Sequence, residues 1–87
     1  MYLHLGQDTV IHTDEIVGIL DLESSSISKH TRAYLTGGEK RGDVVNVTEE
    51  LPKSFVLCMD RDGRRRIYIT QISSMTLLKR AQHMSRR

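Results

Sequence analysis

Phe55-Val56-Leu57-Cys58-Met59-Asp60-Arg61-Asp62-Gly63-Arg64-Arg65-Arg66-Ile67-Tyr68-Ile69 decides the fold of this 87-residue chain. A continuous apolar run, Phe55 to Met59, reads as a central strand, and Ile67-Tyr68-Ile69 reads as its partner. Asp62-Gly63 between them is a favoured two-residue turn, because both residues tolerate the positive φ angles that match strand twist. That turn predicts a register: Arg61 opposite Arg64, Asp60 opposite Arg65, Met59 opposite Arg66, Cys58 opposite Ile67, Leu57 opposite Tyr68 and Val56 opposite Ile69. One face then carries Cys58/Ile67 and Val56/Ile69 with an Asp60/Arg65 ion pair at its rim. The other carries Arg61/Arg64, Met59/Arg66 and Leu57/Tyr68. Like charges directly across a strand pair are destabilising, so this second face calls for an anion between its arginines. A guanidinium fork suits phosphate, and Tyr68 adds a hydrogen bond or a stacking surface.

Working outward from this hairpin, the charge is sorted along the chain. Residues 1–52 hold four Lys/Arg against nine Asp/Glu, a net of −5, whereas residues 53–87 hold nine against two, a net of +7. The overall +2 hides two opposed fields. A basic C-terminal third attracts a polyanion, and unlike halves can also attract each other between copies, which favours head-to-tail assembly.

The rest of the chain supplies a small α+β fold of short antiparallel strands and hairpins with one internal and one C-terminal helix. Tyr2–Leu5 and Thr9–His12 flank the turn-forming Gly6-Gln7-Asp8, a first hairpin. The β-branched run Ile16 to Leu20 predicts a buried strand. Ile27, Thr31, Tyr34 and Leu35 fall on one helical face behind a serine cap at Ser24-Ser25-Ser26, with Glu23 at the positive end of the dipole and Gly37-Gly38 as the stop. Lys29 and Arg32 then point outward. Glu39 to Asp43 reads as a charged loop, Val44 to Val47 as a strand, and Glu49 to Lys53, with the only proline, as a break. Ile72, Met75, Leu78 and Ala81 predict the inner face of a closing helix, with Lys79, Arg80 and His83 near its negative end. Residues 1–84 form one domain in this reading and 85–87 a basic tail.

A hydrophobic fraction of 38% with 28% charged residues is that of a folded globular chain rather than a disordered one. No apolar run is long enough for a bilayer, and the N-terminus lacks the pattern of a signal peptide, so the expected location is the cytoplasm, with no membrane partner. A single cysteine, Cys58, agrees with a reducing compartment, and its apolar neighbours mark it as a buried small side chain rather than a nucleophile. His4 and His12 lack a third ligand at metal-site spacing. Asp14-Glu15 and Glu49-Glu50 are adjacent carboxylates in turns, and Gly37 to Gly42 lacks the spacing of a phosphate loop. No catalytic set, metal or cofactor is expected.

Met1 to Gly6, the stretch Asp14 to Asp21, Arg41-Gly42 before Val44, and Phe55 to Asp60 together resemble the Rem family of bacterial extracellular-matrix regulators, closest to its RemB branch. The likeness lies in the order of these short motifs and in the length of the chain. It implies a cytoplasmic protein linked to activation of biofilm-matrix genes, and a DNA-binding branch of relatives that assembles into rings and presents arginines from many subunits. That branch carries an arginine pair just before the central strand, where this chain has Leu51-Pro52 and then Lys53. Lys53 alone retains charge in that region, so the expected DNA contacts are Lys53 together with Arg61, Arg64, Arg66 and Tyr68, the last four assigned from the residues themselves. The expected function is a ring-like homo-oligomer that binds double-stranded DNA through repeated backbone contacts, with a paralogous regulator as a further possible partner. The alternative is a non-enzymatic assembly or adaptor protein whose basic face docks an acidic protein.

Overall fold

A computed structural model of the chain describes residues 1–22 and 29–85. The serine cap, Glu23 and Ile27 lie outside the described residues, as do Arg86 and Arg87. In chain order the elements are β1 (Tyr2–Gly6), β2 (Thr9–His12), one 3₁₀ turn (Thr13–Glu15), β3 (Ile16–Asp21), α1 (Lys29–Arg41), β4 (Val44–Asn46), β5 (Ser54–Met59), β6 (Arg65–Thr70) and α2 (Ser74–Ser85). β1 and β2 form the expected hairpin, and the other strands form one sheet in the order β3-β5-β6-β4. The architecture is α+β. Its sheet is mixed, because β4 runs parallel to β6, a pairing that neighbouring turns could not announce. Ser85, expected to open a tail, is the last residue of α2.

Three layers follow from side-chain alternation. Leu3, Leu5 and Ile11 of the hairpin and Leu77 of α2 bury against Val47, Val56 and Cys58 on one face of the sheet, ringed by Ile16, Ile19, Tyr68 and Ile72. Phe55 and Ile67 are buried on the other face, Ile67 directly under Gly38 of α1. Two buried hydroxyls tie the first layer down. Thr70 Oγ1 donates to the Leu5 carbonyl at 2.5 Å, and Ser54 Oγ donates to the Ile72 carbonyl at 2.6 Å. Each satisfies a group that would otherwise be costly to bury.

β3 is an edge strand rather than a fully buried one. Its register with β5 jumps from Ile16↔Cys58 to Gly18↔Leu57, so Val17 is a bulge residue and is 67% exposed. The extra residue lets Ile16 and Ile19, three apart, share the core face.

Gly37-Gly38 do not end α1. Gly42 does, at φ +78°, with Asp43 N–H donating to the Gly38 carbonyl at 2.8 Å and Gly42 N–H to the Glu39 carbonyl at 3.1 Å. This is a Schellman closure. The helix thereby absorbs Glu39 to Arg41, which had read as loop. Gly38 serves another purpose: a Cβ there would lie 2.6 Å from Ile67 Cδ1, so its bare backbone lets α1 sit close on β6. Thr31, Tyr34 and Leu35 are half-buried on the same helix, and Lys29 and Arg32 are exposed, as expected.

α2 starts behind Ser73, whose hydroxyl accepts from Thr76 N–H. Its inner face differs. Leu77 is fully buried, whereas Met75 and Leu78 are exposed. A strict three-residue spacing turns about 300° per step and drifts around the helix, so the four expected residues cannot all face inward. Leu77 and Ala81, four apart, form the inward stripe instead.

Candidate functional site

The loop joining β5 to β6 is three residues long, not two. Gly63 N–H donates to the Asp60 carbonyl at 3.0 Å and Gly63 takes φ +81°, the geometry of a type I turn followed by a left-handed glycine. Asp60 Oδ1 accepts from both Asp62 N–H and Arg64 N–H, each at 2.9 Å, and Asp60 N–H donates to the Arg64 carbonyl at 3.0 Å. The turn is therefore braced by the Asp60 side chain and backbone together.

The extra loop residue moves the register by one. Met59 pairs with Arg65, Cys58 with Arg66, Leu57 with Ile67 and Val56 with Tyr68. Arg61 therefore does not face Arg64, and the expected repulsion between those two across the strands is absent. The Asp60/Arg65 ion pair is also absent, since Asp60 spends its carboxylate on the turn and Arg65 lies on the opposite face. Asp60 and Gly63 carried the missed signal, an Asp at the first position of a type I turn and a Gly at the fourth.

What the shift creates is a basic ribbon. β3 makes its last pair with β5 at Cys58, and β4 makes its first pair with β6 at Ile67. Beyond those residues the β5–β6 hairpin stands clear of both edge strands, and residues 61–66 are all exposed. Its base is flanked by the Thr13–Glu15 turn and by the Gly42-Asp43 helix stop. Arg64, Arg65 and Arg66 line one open cleft of about 340 Å³ with Gly42, Asp43 and Val45. Arg64 and Arg66 also line a second with Glu15, Cys58, Asp60 and Tyr68. Arg61 borders a third with His12, Asp14, Glu15, Met59 and Asp60.

Among the described residues, none of Arg61, Arg64, Arg65 and Arg66 makes an ion pair; the nearby pair is Arg41 Nε to Asp43 Oδ2 at 3.0 Å. The Arg66 guanidinium is pushed above its ordinary value, first by a side-chain hydrogen bond with Tyr68, with Asp60 and Glu15 adding to the rise against slight desolvation. Arg66 therefore stays cationic. Of the residues singled out from sequence, Arg64, Arg66 and Tyr68 come together and Arg61 sits at the apex. Lys53 does not join them: it precedes β5 at the far end of a six-residue strand, roughly 20 Å away, with its backbone N–H bonded to the Thr70 carbonyl. Arg65, which the predicted register had neutralised, belongs with the cluster.

Cys58 is buried, as its neighbours suggested. Burial pushes its thiol up from 9.0 to about 11, and Glu15 adds to the rise. A raised folded value means that the neutral thiol is favoured by folding, so its contribution is intact below pH 9 and is lost as pH climbs through about 11. Urea unfolding midpoints should fall over that window less in Cys58→Ala than in the parent protein. Equal slopes for the two proteins would contradict this placement of the thiol.

Among the described residues no cluster of side chains is arranged to hold a metal, and no helix is long and apolar enough to cross a membrane. No known family profile matches the chain. It is 38% identical over 84 residues, 97% of its own length and 94% of the other, to extracellular matrix regulatory protein B of Bacillus subtilis (strain 168). That identity, sustained from end to end, shows that the chain belongs to the Rem family of extracellular-matrix regulators and is RemB-like.

Proposed function

We propose that this chain regulates biofilm extracellular-matrix genes in the cytoplasm by binding double-stranded DNA as a ring-like homo-oligomer, without catalysis. The name of its Bacillus subtilis relative supports the regulatory role. The observation that carries DNA binding is the exposed ribbon of Arg61, Arg64, Arg65 and Arg66, four cations free of ion pairs among the described residues. A few arginines bind a phosphate backbone weakly, but copies repeated around a ring raise avidity without any change within a subunit. A paralogous regulator could occupy some positions of such an assembly. Fluorescence anisotropy with two duplexes of unrelated sequence tests the reading. Both should bind, and log affinity should fall linearly and steeply with log salt.

One observation favours a second reading, in which the basic face docks an acidic protein surface. Asp14, Glu15, Asp43, Asp60 and Asp62 are interleaved with the arginines, which weakens attraction to a uniform polyanion. An oligomer that salt dissociates, with no anisotropy change on either duplex, would select this alternative.

A further inference from the structure

The braced hairpin tip has dimensions and chemistry that go beyond binding phosphates. Two paired strands lie about 4.8 Å apart, and with side chains they fill a major groove about 12 Å wide but not a minor groove about 6 Å wide. Between the last edge-strand pairs, at Cys58 and Ile67, and the three-residue turn lie Met59 and Asp60 on one strand and Arg64, Arg65 and Arg66 on the other. At about 3.3 Å per residue this is a projection of roughly 7–10 Å before the turn itself, comparable to the major-groove depth of about 8.5 Å.

The tip needs little ordering on binding. Asp60 Oδ1 already holds Asp62 N–H and Arg64 N–H, and Gly63 already occupies its left-handed conformation. At the apex, Arg61 and Asp62 are exposed neighbours of opposite character. An arginine donates two hydrogen bonds to guanine O6 and N7, and a carboxylate accepts from the cytosine amino group; both groups are displayed in the major groove. In a narrow minor groove the same carboxylate would face a strongly negative potential. Asp62 suits the turn, and its exposed carboxylate, which repels a phosphate backbone, is able to accept a hydrogen bond from a base edge.

Resting on the DNA-binding reading above, we propose that the Asp60–Arg66 hairpin enters the major groove tip first. Arg61 and Asp62 then read a G·C pair, while Arg64, Arg65 and Arg66 hold the flanking phosphates. Asp14, Glu15 and Asp43 at the base of the ribbon limit how closely the rest of the fold approaches the backbone.

The test uses one duplex sequence in three forms: unmodified, with its cytosines replaced by glucosylated 5-hydroxymethylcytosine, and unmodified in the presence of netropsin. Glucose fills the major groove and leaves the phosphates in place, whereas netropsin fills the minor groove. Binding should weaken roughly 10-fold or more on the glucosylated duplex and be unchanged by netropsin, and Arg61→Ala and Asp62→Ala should each bind the unmodified and glucosylated forms more equally. Both substitutions are at exposed turn positions that leave Asp60 and Gly63 intact. Equal affinity for the unmodified and glucosylated duplexes, with the salt dependence retained, overturns groove entry and leaves DNA binding standing. No binding to any form overturns both.

Discussion

Replacing Arg64 and Arg66 together by Ala should lower affinity for duplex DNA by roughly 10-fold or more, and by a similar factor whatever the sequence. These two side chains share the cleft that Tyr68 borders, and with Arg65 they line the one beside Gly42 and Asp43. Removing their charge should also flatten the salt dependence, by about one unit of log–log slope for each phosphate no longer neutralised. If subunits bind side by side on a ring, the effect multiplies with every subunit engaged. Neither arginine is in an ion pair among the described residues and both are exposed, so thermal unfolding should stay close to that of the parent protein. Lys53→Ala serves as the contrast, because Lys53 lies at the far end of β5, and its effect should be much smaller. A double variant that binds as tightly as the parent protein would remove the ribbon from the interface.

The largest effect on stability is expected at Gly38. Alanine is a better helix former than glycine by about 0.5–1 kcal/mol, so Gly38→Ala should stabilise an isolated helix. Here the new methyl would lie 2.6 Å from Ile67 Cδ1 and 3.5 Å from Val44 Cγ2. Ile67 is fully buried and cannot swing aside. Overpacking of this kind costs about 1–3 kcal/mol, which outweighs the helical gain and pushes α1 away from β6. Gly37 makes the opposite case. A Cβ there meets only the Arg41 guanidinium, at 3.2 Å, the end of an exposed and flexible side chain. Gly37→Ala should therefore raise the urea midpoint and Gly38→Ala should lower it. Adding Ile67→Val to Gly38→Ala should recover part of the stability by trimming the obstructing methyl. A stabilising Gly38→Ala would mean that α1 does not pack closely over Ile67.

These two sites also show what could be read from sequence and what could not. β-Branched and apolar runs announced every strand, and the DG-containing turn announced the last hairpin, because those signals are local. Register was harder, since one residue of loop length decides it. Asp62-Gly63 suited a two-residue turn, but Asp60 could brace a three-residue one through two backbone N–H groups, and the braced form is the one seen. The single-residue shift separated Arg61 from Arg64 and brought Arg65 into the cluster. Gly37-Gly38 looked like a helix stop because glycine serves both chain reversal and close packing, and only the position of Ile67 distinguishes the two. The parallel β4–β6 pair and the overhang of the ribbon arise from where other strands end, which no local pattern encodes. Charge sorting survived all of these changes, since it depends on composition rather than register.

Mass determination by sedimentation, with and without duplex DNA across a salt series, tests most directly whether an arginine ribbon repeated on an oligomer grips DNA. A multi-subunit species that persists as salt rises, joined by duplex at low salt and released from it at high salt, is the predicted result. A monomer that never co-sediments with duplex at any salt concentration would contradict it.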